Sequence, residues 1–321
     1  MNWKPAGAIL FALATHASAQ TPPGWPSRPI RMIVPQPPGG STDVIARVIA
    51  QRMSEALGQS VIVDNRPGAG TIVGVEIVAN AAPDGHTLLA VASSYSIIPA
   101  LHKKLPFDPL RDLAPVTQIA TLPHVLVVNP SVRANSVKEL IALTKASPGK
   151  LNYASSGFGT STHMAAELFM FMTGVSMVNI TYKGGASALV AMLGGECQVN
   201  FATISTVMPH VQANRLRALA VTTAKRSAAT PSLPTMAEAA IPGYDHSSWI
   251  GLFAPARTPA SIMARLNGET VMAARSQEVK AVLSSDGLEA TGTTPEEFAA
   301  LVKTEIAKWV KVAKAAKLQP Q

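Results

Sequence analysis

Apolar stretches with the length of β-strands alternate with amphipathic helical stretches along most of the 321-residue chain. Residues 30–34 form a mostly apolar run, and apolar side chains then recur at helical spacing from Val44 to Leu57, with Arg47 and Gln51 on the opposite face. Short apolar runs are typical of buried strands, and a period of about 3.6 residues is typical of an amphipathic helix. Their alternation indicates an α/β fold with largely parallel sheets. The predicted strands cover residues 30–34, 60–63, 87–92, 151–155, 178–182, 197–201 and 216–222.

The order of strand, glycine-containing loop and helix occurs in two separate parts of the chain. The first series starts at residue 30, and the second starts at residue 151. Because a chain of this length exceeds one small core, we expect two lobes with a cleft between them. The chain is predicted to cross between lobes near residues 117–125 and to return near 221–225. The first lobe would then contain residues 20–121 and 225–321, and the second lobe residues 122–224.

The N-terminal residues have the pattern of a secretory signal peptide. One lysine precedes an apolar run of about ten residues, and Ala17-Ser18-Ala19 is a small-residue cleavage site. A membrane anchor would need about 20 continuous apolar residues, and Thr15, His16 and Gln20 interrupt the run. We therefore predict a signal peptide over residues 1–19, its cleavage, and a periplasmic location for the mature chain.

Composition narrows the classes of partner and site. The formal net charge is +8, which is compatible with nucleic acid or with anionic solutes. The basic residues are scattered and only 5% of residues are aromatic, so no nucleic-acid partner is expected. Lysines at positions 303, 308, 311, 314 and 317 could form a stripe on one helix, or an ordinary solvated face. Cys197 is the single cysteine, which excludes an intramolecular disulfide and two-cysteine metal sites.

Common catalytic and metal-binding patterns are missing from the sequence. It contains no HExxH and no pair of histidines at metal-ligand spacing. Ser156 lacks the glycine two positions before it and two positions after it that a nucleophile elbow requires. The chain is therefore expected to be no enzyme and to need neither metal nor cofactor, although a catalytic site assembled from distant residues remains an alternative.

Two glycine and hydroxyl loops, each between a strand and a helix, are the candidate binding elements. The first contains Gly39-Gly40-Ser41-Thr42 and the second covers residues 155–161. Glycine lets a ligand approach the backbone, and a helix N-terminus offers unpaired N–H groups and a positive dipole end to an anion. Two such loops across a cleft would hold a small carboxylate from both lobes. Plain turns are the alternative interpretation of both loops.

Asp43 has two possible roles beside the first loop. Its charge would repel a bound carboxylate, which favours capping of its own helix or support of the loop over direct ligand contact. His163, near the second loop, could contact a ligand or pack within its helix.

An ordered set of short motifs resembles the Bug family, the periplasmic substrate-binding receptors of tripartite tricarboxylate transporters. The motifs are residues 36–43 (QPPGGSTD), 65–70 (NRPGAG), 83–85 (PDG), 105–109 (LPFDP), 182–185 (YKGG), 234–238 (PTMAE) and 249–255 (WIGLFAP). The resemblance runs from about residue 25 to residue 318. It implies a two-lobe, type II-like periplasmic-binding fold and a di- or tricarboxylate or an aromatic acid as ligand. It also implies membrane permease subunits as partners and a monomeric receptor.

Carried onto this chain, the family's site covers both glycine loops and four further residues, Gln36, Gly184, Gly185 and Thr203. Position 36 is usually aromatic in the family but is Gln36 here, so part of the wall would be polar. The family commonly has an aspartate after the strand at 197–201, where this chain has Thr203 and Ser205, which favours carboxylates without an amino group. A periplasmic sensor is the alternative function, because it would need the same cleft. The predicted ligand-binding residues are Gln36, Gly39, Gly40, Ser41, Thr42, Asp43, Ser155, Ser156, Gly157, Gly159, Thr160, Gly184, Gly185 and Thr203.

Overall fold

The structure, a computed structural model, describes residues 24–285 and 287–318. The predicted signal peptide lies outside the described residues. Ten strands form one sheet in the order β2-β1-β3-β9-β4-β7-β5-β6, with β8 and β10 both paired to β4. The strands are β1 Ile30–Val34, β2 Val61–Asn65, β3 Thr87–Ala92, β4 Leu113–Val128, β5 Asn152–Ser155, β6 Val178–Thr181, β7 Val199–Thr203, β8 Arg217–Val221, β9 Ser247–Pro255 and β10 Glu289–Ala290.

Eleven α-helices of the described chain flank this sheet. They are α1 Ser41–Leu57, α2 Ile72–Ala79, α3 Ser94–Leu101, α4 Val137–Ala146, α5 Ser161–Thr173, α6 Gly185–Leu193, α7 Ile204–Gln212, α8 Met236–Ala239, α9 Ala260–Arg275, α10 Gln277–Ser285 and α11 Pro295–Ala315. None of the helices in the described ranges is both long and apolar enough to cross a membrane.

The prediction of largely parallel sheets is correct only for the outer strands. β1 is parallel to β2 and β3, and β5 is parallel to β6 and β7. The central strands β4 and β9 are antiparallel to each other, β4 is antiparallel to β7 and β8, and β9 to β3. Every antiparallel pair of the described strands contains β4 or β9, and β4 pairs with strands of both halves of the sheet.

Strand β4 belongs to both halves of the sheet. Over Leu113 to Pro123 it pairs with β9, and from His124 to Val128 it pairs with β7 and β8. The change of partner at Pro123 and His124 lies within the predicted crossing at 117–125. The division into lobes at residues 121 and 224 remains a prediction.

Buried apolar residues form separate clusters under the two halves of the sheet. The core beneath β5 and β7 also takes side chains from outside residues 122–224, among them Ile97 of α3, Tyr244, and Trp309 and Val312 of α11. The N-terminal part of α11 instead packs Phe298 into the core beside β3 and β9. Helix α11 therefore contributes to both cores.

Candidate functional site

A cavity of about 630 Å³ lies among four segments that the fold brings together. The segments are the loop after β1, the loop before α2, helix α3 and the loop before α5. Its lining residues are Pro35, Gln36, Pro37, Pro67, Gly68, Ala69, Gly70, Thr71, Ser94, Ile97, Ile98, Leu101, His102, Phe158, Gly159 and Thr160. Both predicted loops therefore meet at this cavity, although they contribute only Gln36, Gly159 and Thr160 of the predicted residues.

The first glycine loop is held by Asp43. The Gly39 N–H donates a hydrogen bond of 2.8 Å to Asp43 Oδ2, and Asn65 Nδ2 donates to Oδ1 at 2.9 Å. Arg47 forms an ion pair with the same carboxylate at 3.0 Å. Burial opposes the ionisation of Asp43, but the hydrogen bonds from Arg47, Gly39 and Asn65 outweigh it and hold its pKa below the ordinary value. This geometry supports the loop, whereas helix α1 itself, which begins at Ser41 after the N-cap residue Gly40, has no side-chain cap.

The second loop is held in the same way by an imidazole. The Gly159 N–H donates to His163 Nδ1 at 3.1 Å. Because Nδ1 accepts this bond, the neutral ring carries its proton on Nε2, which lies 3.4 Å from Glu167 Oε1. Tyr153 donates its hydroxyl to the same Glu167 oxygen at 2.7 Å. His163 is 1% exposed and supports the loop from behind.

The two loops share a local sequence pattern that the fold explains. Residues 39–47 are GGSTDVIAR and residues 159–167 are GTSTHMAAE. In each, a glycine with positive φ (86° and 71°) donates its N–H to the side chain four residues later, and that side chain pairs with a partner four residues further on. The first loop thus has an acid held by a base, and the second has a base held by an acid.

Helix starts at the predicted ligand residues and at the cavity lack side-chain caps. Helices α4, α8 and α11 begin with a side-chain cap from Ser136, Thr235 and Thr294. No side-chain cap is present on the helices that start at predicted ligand residues, which are α1, α5, α6 and α7. The helices α2 and α3 at the cavity also lack one, as does α9, which lies away from the cavity. Uncapped first turns keep N–H groups available to an anion.

A smaller cavity of about 140 Å³ lies within the second half of the sheet, behind the second loop. It brings together three more predicted residues, Ser156, Gly185 and Thr203, with Thr162 and Asn200 among their neighbours. The Ser156 N–H donates to Thr162 Oγ1 at 3.0 Å, which ties the loop to the first turn of α5.

The remaining predicted residues line neither of these cavities. Gly39, Gly40 and Ser41 are exposed, and Thr42 is buried. Ser155 is fully buried and donates its hydroxyl to Asn179 at 2.9 Å. The Gly157 carbonyl accepts a bond from the Thr160 hydroxyl, and the Gly184 N–H donates to the Ser156 carbonyl. Direct ligand contact by these residues stays a prediction.

Sequence reasoning did not assign the loop before α2 and helix α3 to the site. Residues 68–71 all have positive φ, and Thr71 at 90° is unusual because β-branched side chains are strained there. Thr71 is 8% exposed, and its hydroxyl has no partner among the described residues. The Pro67-Gly68-Ala69-Gly70 turn was visible in the sequence, but nothing in it indicated that α2 and α3 start beside the two predicted loops.

Two buried histidines lie where the chain passes between the halves of the sheet. His124 on β4 and His246 before β9 stack with ring centroids 5.7 Å apart. The Ser161 hydroxyl, in the first turn of α5, lies 3.0 Å from His246 Nε2 and 3.4 Å from His124 Nε2. Burial lowers the pKa of His124 to about 4. Burial, with Lys308 and His124 nearby, lowers the pKa of His246 well below its ordinary value.

The described residues 24–285 and 287–318 contain no cluster of three or more histidine, cysteine or acidic side chains that could hold a metal ion. Cys197 is buried, and its burial raises the pKa of the thiol.

Comparison with known proteins identifies the family. Residues 45–318 match the family model described as the tripartite tricarboxylate transporter family receptor. Protein BugT of Bordetella pertussis is 38% identical over 306 residues, which cover 95% of this chain and 94% of BugT.

Two solved structures from Rhodopseudomonas palustris are similar throughout. One, determined with adipate, has a TM-score of 0.75 and 36% identity over 92% of this chain and all of that one. The other, MatC with bound malate, has a TM-score of 0.73 and 30% identity over 90% of this chain and all of MatC. The fold is accordingly the two-lobe α/β fold of periplasmic binding proteins, as predicted. By its sequence, its fold and its matching relatives, the chain belongs to the family of tripartite tricarboxylate transporter receptors.

Proposed function

We propose that this protein binds a small carboxylate in the periplasm and delivers it to the membrane permease of a tripartite tricarboxylate transporter. The observation that carries the proposal is the meeting of two glycine loops at one cavity, each leading into a helix whose N-terminus lacks a side-chain cap. A carboxylate placed there would accept hydrogen bonds from N–H groups and lie at the positive ends of two helix dipoles.

The supports behind the loops fit this role. A bound carboxylate adds a negative charge near Asp43, and the Arg47 ion pair offsets the charge of that side chain. His163 accepts a bond from Gly159 and therefore directs no ring N–H toward the loop. The N–H groups of Gly39 and Gly159 are used in these bonds, so the N–H groups offered to a ligand are those of the uncapped first turns of α1 and α5. Asp43 and His163 hold the loops that lead into these turns before a ligand arrives, which lowers the entropy cost of binding.

The related proteins bind ligands of the expected class. The similar R. palustris structures contain adipate and malate, which are both dicarboxylates. Family membership also favours transport over the alternative of a periplasmic sensor. The receptor would perform no chemistry, and its partners would be the permease subunits.

A thermal-shift experiment with matched ligands tests the proposal. Small dicarboxylic acids should raise the melting temperature of ligand-free protein, and the corresponding dimethyl esters should not. A ligand that binds only the folded state stabilises it by about 2.7 kcal/mol at a hundredfold excess over its dissociation constant. Esters that stabilise as well as the acids would exclude recognition of the carboxylate by backbone N–H groups.

Uptake measurements separate transport from sensing. Deletion of the gene should abolish uptake of the acid that stabilises the protein, and the complementing gene should restore it. Unchanged uptake, with an altered transcriptional response to that acid, would favour the sensor.

A further inference from the structure

The cavity wall carries almost no charge. Within the described chain, none of its sixteen lining residues is Lys, Arg, Asp or Glu. Its polar side chains are Gln36, Thr71, Ser94, His102 and Thr160. Only the loop backbones and helix N-termini therefore provide concentrated positive potential for an anion.

One side of the cavity is a continuous apolar surface built by helix α3. Ile97, Ile98 and Leu101 lie on this helix, with Leu101 one turn after Ile97 and adjacent in the wall to Ile98. All three are buried in the protein, with exposed fractions of 1%, 4% and 8%. Their positions are fixed because Ile97 and Leu101 belong to the core beneath β5 and β7.

Phe158 brings a second apolar surface from the loop before α5. Its side chain is 46% exposed although it is aromatic, and its ring lies 5.1 Å from that of His163, which limits its orientation. The next residue, Gly159, touches the α3 surface, since a Cβ there would lie 2.5 Å from Leu101 Cδ1. The loop that would bind a carboxylate thus continues directly into apolar surface.

We propose that the ligand is a carboxylic acid with an apolar body, either a chain of methylene groups or an aromatic ring, held between Phe158 and the α3 surface. This inference rests on the proposed function and narrows its ligand class. The carboxylate would lie at the uncapped first turn of α5 beside Thr160, while the body would cover Phe158, Ile98 and Leu101.

The wall disfavours more polar acids for defined reasons. The ammonium group of an amino acid would lose water without gaining a carboxylate partner. A third carboxylate, as in citrate, would find no cationic side chain among the lining residues. Hydroxyl groups placed against Ile98 and Leu101 would lose hydrogen bonds to water and form none in return.

A chain-length series tests the proposal by calorimetry on ligand-free protein. The probes are the linear dicarboxylates from malonate to suberate, together with benzoate, acetate, citrate and glutamate. Burial of a methylene group contributes about 0.8 kcal/mol, so each added methylene should lower the dissociation constant about fourfold until the cavity is filled. Benzoate should bind more tightly than acetate, and citrate and glutamate should bind at least about tenfold more weakly than the best linear acid.

Different failures have different meanings. Dissociation constants that do not change with chain length, or citrate as the tightest ligand, would overturn the apolar-body proposal but leave carboxylate binding intact. No binding by any of these acids would overturn the proposed function and this inference with it.

A pair of exposed phenylalanines provides a matched control. The Phe158→Ala variant should show a smaller gain in affinity for each added methylene group, so that suberate loses more affinity than malonate. Phe171, in the last turn of α5, is 49% exposed and lies outside the cavity, so Phe171→Ala should leave the series unchanged. Equal loss for all chain lengths in Phe158→Ala would contradict contact between this ring and the ligand body.

Discussion

Acidification should destabilise the protein through the buried histidines His124 and His246. Each is neutral in the folded protein, with the other imidazole, Ser161 and Trp309 around them and the cationic Lys308 beside His246. The pKa of His124 falls from 6.5 to about 4 on burial, and that of His246 also falls. A lowered pKa of a base means that the unfolded chain binds protons first, so stability is lost as the pH falls below 6.5.

The size of the effect follows from these pKa values. For His124, protonation of the unfolded chain lowers the free energy of unfolding by about 2 kcal/mol between about pH 7 and pH 5. Protonation of His246 in the unfolded chain acts in the same direction, because the pKa of that ring is also lowered in the folded protein. Asp43 and Asp64 contribute little in this interval, because their pKa values lie below the ordinary 3.8, and the stability that these two groups contribute is lost only below that range.

Urea-induced unfolding at successive pH values measures the effect. The free energy of unfolding of His124→Asn should fall by about 2 kcal/mol less than that of the native protein over the same interval. His210→Asn is a matched control, because that ring is partly exposed on α7. A native protein whose stability does not change between about pH 7 and pH 5, or a His124→Asn variant with the full decrease, would refute the reasoning.

Three further predictions concern the loops and the core. The Gly40→Leu variant should fold, since the added Cβ would have only the Pro37 carbonyl nearby, at 3.9 Å, but it should lose ligand binding in calorimetry. The Asp43→Asn variant should keep part of the binding. Complete loss of binding in folded Asp43→Asn would indicate that Asp43 contacts the ligand directly. The His163→Asn variant keeps an acceptor for the Gly159 N–H and should bind ligand, while His163→Phe removes the acceptor and should weaken binding about tenfold or more. Equal ligand affinities of the two variants would contradict support of the loop by His163. Gly251→Ala should lower the free energy of unfolding by about 1–3 kcal/mol in urea titration, because the added Cβ would overlap the ring of Phe298 on α11. An unchanged free energy of unfolding would show that the Phe298 ring can move away.

Local patterns predicted the elements well but their pairing only in part. Helix α1 is an example of success, because the helical spacing of apolar residues from Val44 to Leu57 lies within the observed helix Ser41–Leu57. Strand β4 shows the limit, since Pro115 and Pro123 interrupt its apolar pattern. Its sixteen residues are extended because they pair first with β9 and then with β7 and β8. Whether two strands pair in parallel or antiparallel depends on contacts between distant segments, and the local spacing of apolar residues does not specify these contacts.

The candidate site was predictable where one local pattern specifies it. The loops at Gly39 and Gly159 combine a positive φ, a helix start and a supporting side chain within nine residues, so the sequence alone indicated them. The apolar wall of α3 was not predictable, because Ile97 and Leu101 look like any buried helical residues. Their place beside Phe158 results from how the two halves of the sheet pack together.

The packing of α11 on two cores limits how this protein can be divided into fragments. A fragment of residues 122–224 would contain β5, β6, β7 and β8, yet it would lack Trp309 and Val312, which fill the core beneath them. Its exposed apolar surface would favour aggregation over independent folding. Helix α11 therefore completes a core whose strands precede it in the chain, so that residues 122–224 cannot bury all of their apolar surface until α11 has docked.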